Sequence, residues 1–117
     1  MVIRMDTAPS GLSVWLSGEL DHHSARSLRE QVDAAVTRSD AKLLRLDFSG
    51  VTFMDSSGIG LIMGRYRLMQ SRGGKLLVVG TSDRLLRVMK LAGLERLPVW
   101  ETAPTTENKK KQGAVKR

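Results

Sequence analysis

The sequence predicts an α/β domain built on a single mixed β-sheet of four to five strands, packed with three or more helices. Near its start, apolar residues alternate with other residues, as in a strand with one buried face. Further along, apolar residues recur at helical spacing between short extended segments. The resulting order, β-β-α-β-α-β-α-β, links the later strands through helices and favours right-handed crossovers.

The chain opens with two predicted strands. Leu12, Val14 and Leu16 supply the buried face of a strand over residues 12–17, and a shorter extended segment covers residues 2–6. Turn-forming residues occupy positions 9–11 between them. A hairpin is therefore expected.

Three helices are predicted next. The first covers residues 24–38, the second begins near Ser56 and ends at Gly73 and Gly74, and the third is capped by Thr81 or Ser82 and ends at Gly93. The apolar stripe of the first helix comprises Ala25, Leu28, Val32, Ala35 and Val36. The buried face of the second comprises Ile59, Ile62, Met63, Tyr66 and Met69.

The remaining strands alternate with these helices. Residues 44–48 form a third strand, after which the polar segment from Asp47 to Ser56 leads into the second helix. Residues 75–79 are apolar almost throughout, which predicts a strand buried on both faces. A final strand is expected over residues 96–100, at a sheet edge because Pro98 has no amide to donate.

Composition limits the classes of function. A chain of 117 residues suffices for one core, and the lack of cysteine excludes thiol catalysis and Cys-based metal sites. No apolar segment is long enough for a membrane span or a signal peptide, so we expect a cytoplasmic protein. Of the net charge of +7, residues 107–117 supply +4. We therefore expect a domain over residues 1–101 and a flexible basic tail over 102–117, without contact to nucleic acid or membrane.

Two strand-to-helix loops are the candidate functional segments. They cover residues 18–23 and 53–60, at positions where α/β proteins expose backbone amides. In the second loop, Ser56 and Ser57 stand where a helix begins. Both can serve as N-caps, which is the commoner role, or one can accept a phosphoryl group whose charge then lies beside Asp55 and Asp21.

Catalytic and nucleotide-binding patterns are incomplete. A nucleophile elbow around Ser56 needs glycine at position 54, which is methionine, and adjacent His22 and His23 rarely converge on one atom. We expect these histidines to serve loop packing or a helix start. The glycines at positions 58, 60 and 64 depart from the dinucleotide fingerprint and indicate close packing of helix against sheet. The sequence shows no metal-ligand spacing and implies no cofactor.

At these segments the chain resembles the STAS domain of bacterial anti-sigma factor antagonists, most closely the sporulation type that counters the sigma-F anti-sigma factor. The resemblance rests on Gly-Glu-Leu-Asp-His-His at 18–23, Phe-Met-Asp-Ser-Ser-Gly-Ile-Gly at 53–60, Gly-Arg-Tyr at 64–66 and the glycines at 73–74. It covers about residues 2–100. One departure is the lack of a helical stripe over 102–117, where similar proteins usually have a C-terminal helix.

The resemblance implies a regulator and not an enzyme. It implies that the protein binds an anti-sigma factor, which is also a serine kinase that uses ATP, and so releases a sigma factor. It also implies that the kinase phosphorylates Ser56, that a serine phosphatase removes the phosphate, and that the free protein is a monomer. The implied partner-binding residues are Glu19, Asp21, His22, His23, Asp55, Ser56, Ser57 and Gly58. Sporulation and stress pathways both stay open, as does the alternative of a STAS scaffold or nucleotide-binding module.

Overall fold

The computed structural model describes residues 1–100, so the predicted tail over 102–117 lies outside the described residues. Four strands and three helices alternate along this part of the chain, followed by one short 3₁₀ turn. The elements are β1 (Val2–Ala8), β2 (Gly11–Leu20), α1 (His22–Ser39), β3 (Leu43–Met54), α2 (Ser56–Ser71), β4 (Lys75–Val79), α3 (Asp83–Leu91) and the 3₁₀ turn Leu94–Arg96.

One mixed sheet organises the domain, in the order β1-β2-β3-β4. β1 and β2 form the predicted antiparallel hairpin, with Ala8 opposite Gly11 at the turn. β3 lies parallel to both β2 and β4, and α1 and α2 are the connections between these strands. The predicted α/β architecture, a mixed sheet of four to five strands packed with three or more helices, is confirmed with four strands and three helices.

A continuous hydrophobic core lies between the sheet and the helices. Alternate residues of β2 and β3 point into it, and the predicted stripe of α1 packs against them, with Leu28, Val32 and Val36 fully buried. Ile62 and Met69 contribute the buried face of α2, and Leu85 and Met89 that of α3. The other predicted core residues of α2, Ile59, Met63 and Tyr66, are only partly buried.

The predicted fifth strand over residues 96–100 is wrong as a strand. Residues 94–96 form the 3₁₀ turn, and only Trp100 makes an isolated parallel bridge, to Val78. The indole Nε1 of Trp100 donates to the carbonyl oxygen of Leu94, so the segment folds on itself. Pro98, which has no amide to donate, fits this interrupted pairing beyond β4.

The predicted helix ends agree closely with the structure. Gly73 has φ +72°, and its amide and that of Gly74 donate to the last turn of α2, which closes the helix in the left-handed manner that glycine favours. Ser82 is the N-cap of α3, because its hydroxyl accepts from the Leu85 amide. Gly93, with φ +85°, follows the end of that helix.

A partly buried ion pair joins α1 to α2, since the Asp33 side chain is 39% exposed. Arg65 is only 7% exposed, and its Nε lies 2.9 Å from Oδ1 of Asp33 on α1. Its Nη2 donates to Oδ2 of the same carboxylate at 3.3 Å. Burial lowers the pKa of Arg65, while Asp33 opposes that shift. The pair therefore fixes how the two helices lie together.

No helix within residues 1–100 is long and apolar enough to cross a membrane.

Candidate functional site

Two helix N-termini lie side by side at one edge of the sheet. Leu20 at the end of β2 pairs with Met54 at the end of β3, and each strand is followed by one aspartate that precedes a helix. The Asp55 amide donates to the Leu20 carbonyl oxygen at 3.3 Å, which ties the two strand ends together. Parallel pairing therefore brings the two predicted loops, distant in sequence, to one surface.

The first helix start is closed by a reciprocal capping box. Oδ1 of Asp21 accepts from the Ser24 amide at 2.9 Å, and the Ser24 hydroxyl accepts from the Asp21 amide at 3.0 Å. Hydrogen bonds from the Ser24 backbone and side chain lower the pKa of Asp21, because they stabilise its charged form. His22 and His23 are exposed in the first turn of α1, so the interpretation as a helix start is confirmed.

At the second helix start, the prediction that both serines are N-caps is wrong. The N-cap of α2 is Asp55, whose Oδ1 accepts from the Ser57 amide at 2.8 Å. A carboxylate can accept hydrogen bonds from the unpaired amides, and its negative charge interacts more favourably with the helix dipole than a neutral hydroxyl does. Ser56 is therefore the exposed first residue of α2, and its hydroxyl has no hydrogen-bond partner among residues 1–100.

Gly58 has a packing role that the sequence predicted for three glycines together. A Cβ at this position would meet the side chain of Met54, with its Sδ at 2.5 Å, and Cδ2 of Leu20 at 3.2 Å. Gly58 is buried, so it allows α2 to pack closely on the ends of β2 and β3 and offers almost no exposed surface to a partner. A Cβ at Gly60 or Gly64 would have no neighbour within 4 Å, so close packing is the wrong interpretation there.

The strand ends next to Ser56 carry one acidic and one aromatic side chain. Glu19 is exposed and lies opposite Phe53 in the β2–β3 register. Phe53 is 48% exposed, which is high for a phenylalanine inside a strand. Residues 18–20 and 53–54 were predicted as loop, whereas both strands extend to their ends at Leu20 and Met54.

Ser57, which follows Ser56 in sequence, lines a groove between α1 and α2 that the sequence did not predict. Its volume is about 540 Å³, and its lining residues are His22, Ala25, Arg26, Arg29, Ser57, Gly60 and Leu61. Helical spacing had placed Arg29 off the buried stripe, but only the packing of α2 beside α1 could identify a groove. Its arginines can bind anions.

The exposed hydroxyl of Ser56 can accept a chemical group, and the surface around it can bind a partner. The side chains of residues 1–100 form no catalytic arrangement around this hydroxyl. Neither His22 nor His23 makes a hydrogen bond to Ser56, and the Asp55 carboxylate is engaged by the Ser57 amide. Within residues 1–100, no three side chains of the metal-binding types cluster closely enough to hold a metal ion. An exposed hydroxyl at a helix start, next to the Asp55 carboxylate, can accept a phosphoryl group.

Comparison with known proteins agrees with this geometry. The family model for the STAS domain matches residues 3–109. The anti-sigma F factor antagonist of Paenibacillus polymyxa is 37% identical over 100 residues, covering 85% of this chain and 86% of that protein. The anti-sigma-B factor antagonist of Bacillus subtilis is 35% identical over 85 residues, covering 72% and 75%.

Solved structures show the same fold. The anti-sigma factor antagonist SpoIIAA in its unphosphorylated form matches with a TM-score of 0.76 and 27% identity, over 88% of this chain and 89% of that one. Bacillus SpoIIAA in its phosphorylated form matches with a TM-score of 0.69 and 27% identity, over 88% and 92%. This chain therefore belongs to the STAS domain family, alongside the anti-sigma factor antagonists.

Proposed function

We propose that this protein is an anti-sigma factor antagonist that binds an anti-sigma factor with serine kinase activity and so releases the sigma factor which that partner holds. Phosphorylation of Ser56 ends the binding, and a serine phosphatase restores it. The protein acts as a monomer in the cytoplasm and is a substrate of the kinase, not an enzyme. The names of its relatives support the antagonist role, and the phosphorylated form of SpoIIAA supports a phosphate switch.

The observation that carries this proposal is the division of roles at the start of α2. Asp55 caps the helix, so the Ser56 hydroxyl is exposed and not engaged within the described residues. A serine that caps a helix would have to give up that bond before it could be phosphorylated. Ser56 can accept a phosphoryl group without uncapping α2.

Charge explains how a phosphate at Ser56 would end binding. A phosphoserine carries a charge of about −1.5 to −2 at neutral pH, and it would join Asp55, Asp21 and Glu19 at the same surface. Placing such a strongly hydrated anion in a contact made for a neutral hydroxyl adds a desolvation cost. A loss of about 3 kcal/mol already weakens binding more than a hundredfold. The switch therefore does not require refolding of the domain.

The direct test is phosphorylation by an anti-sigma kinase in the presence of ATP, followed by location of the phosphate by mass spectrometry. We expect one phosphate, on Ser56, and none without the kinase. Ser57→Ala is the matched control, because it removes the neighbouring hydroxyl and leaves the Asp55 cap, which uses the Ser57 backbone amide. It should still be phosphorylated on Ser56, whereas Ser56→Ala should not be phosphorylated. Equal phosphorylation of Ser56→Ala and the parent would refute the assignment.

Binding provides the second test. Ser56→Asp should weaken the complex with the anti-sigma factor, measured by calorimetry, and equal affinity would contradict the electrostatic switch. Relatives named for sigma F and for sigma B both match, so the pathway is tested by comparing the anti-sigma factor of each kind as partner. A role in sporulation predicts tighter binding to the anti-sigma factor of the sigma-F type than to that of the sigma-B type.

The alternative function, a STAS scaffold or nucleotide-binding module, lacks a specific observation in its favour. The glycines at 58, 60 and 64 lie inside helix α2 and form no loop that could surround a phosphate. Tight binding of ATP or GTP by the isolated chain would revive this alternative.

A further inference from the structure

The groove between α1 and α2, called here the α1–α2 groove, has an apolar floor and an open upper part. Ala25 and Leu61 form the floor and are almost fully buried. Gly60 leaves the space above α2 open, because a Cβ there would have no neighbour within 4 Å. The volume of about 540 Å³ is sufficient for several side chains of another protein.

Positive charge without close partners lines the α1 side of the groove. Arg29 forms no ion pair within residues 1–100, and Arg26 has only an exposed contact of 3.9 Å with Glu30. Asp33, one turn beyond Arg29, is already bound to Arg65. Arg29 also lowers the pKa of Arg65 further, although Arg65 itself is paired with Asp33 and does not line the groove.

The proposed contact surface therefore has an acidic part and a basic part. Glu19, Asp21 and Asp55 lie at the strand ends, whereas Arg26 and Arg29 lie along α1. The groove reaches Ser57, the residue next to the proposed phosphoacceptor. A partner that covers Ser56 must meet both regions, and its own charges must be arranged in the opposite order to bind well.

We propose that the α1–α2 groove binds a segment of the anti-sigma factor that carries carboxylate and apolar side chains. The carboxylates pair with Arg26 and Arg29, and the apolar side chains cover the floor formed by Ala25 and Leu61. The apolar floor favours a protein segment over the phosphates of the kinase's nucleotide, which would use the arginines alone. This inference rests on the proposed function and adds the part of the surface that selects the partner.

Charge reversal tests the arginines. Arg26→Glu/Arg29→Glu should lower the affinity for the anti-sigma factor at least tenfold at 0.1 M salt, and the difference from the parent should shrink as salt increases. The matched control is Arg84→Glu/Arg87→Glu, which has the same spacing, exposure and charge change on α3, a helix that does not line the groove. The control should bind within about twofold of the parent. Thermal melting checks that both variants are folded.

Filling the groove tests its shape without a change of charge. Gly60→Leu should lower affinity at least tenfold, because the new side chain enters the space that the partner segment needs. Gly64→Leu is the control, since Gly64 lies in the same helix with equally open space and does not line the groove. It should bind as the parent does, and neither variant should lose helix stability because leucine favours helix over glycine.

The outcomes separate this inference from the proposed function. If the parent binds an anti-sigma kinase and is phosphorylated on Ser56, but both groove variants bind equally well, only the groove proposal is overturned. If charge reversal weakens binding only when the kinase holds nucleotide, the arginines meet phosphates, and the carboxylate proposal is overturned. If the parent binds no anti-sigma factor, both proposals fail.

Discussion

Replacing Gly58 with alanine is the sharpest structural test of how the site is held. Alanine gains about 0.5–1 kcal/mol over glycine from helix propensity alone. Here, however, its Cβ would overlap the buried side chain of Met54 and press on Leu20. Overpacking of this kind costs roughly 1–3 kcal/mol. We therefore expect a net loss of about 1–2 kcal/mol, which lowers Tm by roughly 5–15 °C in a domain of this size.

Gly60 and Gly64 provide controls within the same helix. At both positions a Cβ has open space, so alanine should gain its helix propensity without overlap and raise Tm by roughly 3–8 °C. Chemical denaturation of all three variants measures the free energy of unfolding. Because Gly58 seats the start of α2, Gly58→Ala should also slow phosphorylation of Ser56. A Gly58→Ala variant as stable as Gly60→Ala would refute the packing argument.

Three further predictions concern the caps and the ion pair. Asp55→Ala should cost about 1 kcal/mol of stability through the lost N-cap, whereas Ser56→Ala should change stability by less than about 0.5 kcal/mol; equal losses in denaturation would show that Ser56 shares the cap. Because the pKa of Asp21 is lowered in the fold, its carboxylate stabilises the protein above the ordinary pKa of 3.8, and this stabilisation is lost as the pH falls further. Asp21→Asn should therefore be less stable than the parent at pH 7, and thermal melting at acid pH should show the two proteins approaching equal stability. Asp33→Ala should destabilise the domain by about 2 kcal/mol, because Arg65 then stays buried without a counter-charge. The double variant Asp33→Ala/Arg65→Met should recover much of that stability, and no recovery would contradict the buried-charge argument.

The sequence predicts the architecture well because its apolar periodicity is strong in the regions that form the core. The stripe of α1 and the alternation in β2 each mark one buried face, and both are observed. Helix ends at Gly73 and Gly93 follow from glycine geometry, a local property that needs no tertiary contact. These features could be predicted because their causes lie within a few residues.

The ends of β2 and β3 could not be predicted, because their pairing is irregular. The register shifts near Gly18, which has φ +102°, so the period-two alternation breaks there and the last residues of β2 look like a loop. Ser49 and Gly50 interrupt β3 in the same way, although Val51 and Met54 beyond them are buried. Only pairing between the two strands shows that they continue to the site.

The roles of individual site residues required tertiary geometry for the same reason. Asp55 and Ser56 are both suitable N-caps by type, and the backbone conformation decides that the carboxylate takes that role. The burial of Arg65 depends on Asp33, which is 32 residues away in sequence. The α1–α2 groove exists only because two helices that start side by side then pack together.

The position of Ser56 explains why a phosphate can change binding while the fold persists. The capping bonds of both helices come from Asp21 and Asp55, and the buried residues of α2 begin at Gly58, so within residues 1–100 no hydrogen bond of the fold involves the Ser56 hydroxyl. A phosphate there would face the positive end of α2, which partly offsets its repulsion from the two carboxylates. In a complex, the phosphate would also lose much of its hydration, a cost that the free domain does not carry. Under the proposed function, the same added charge would therefore be tolerated by the free domain and opposed in the complex, which is the property a reversible binding switch requires.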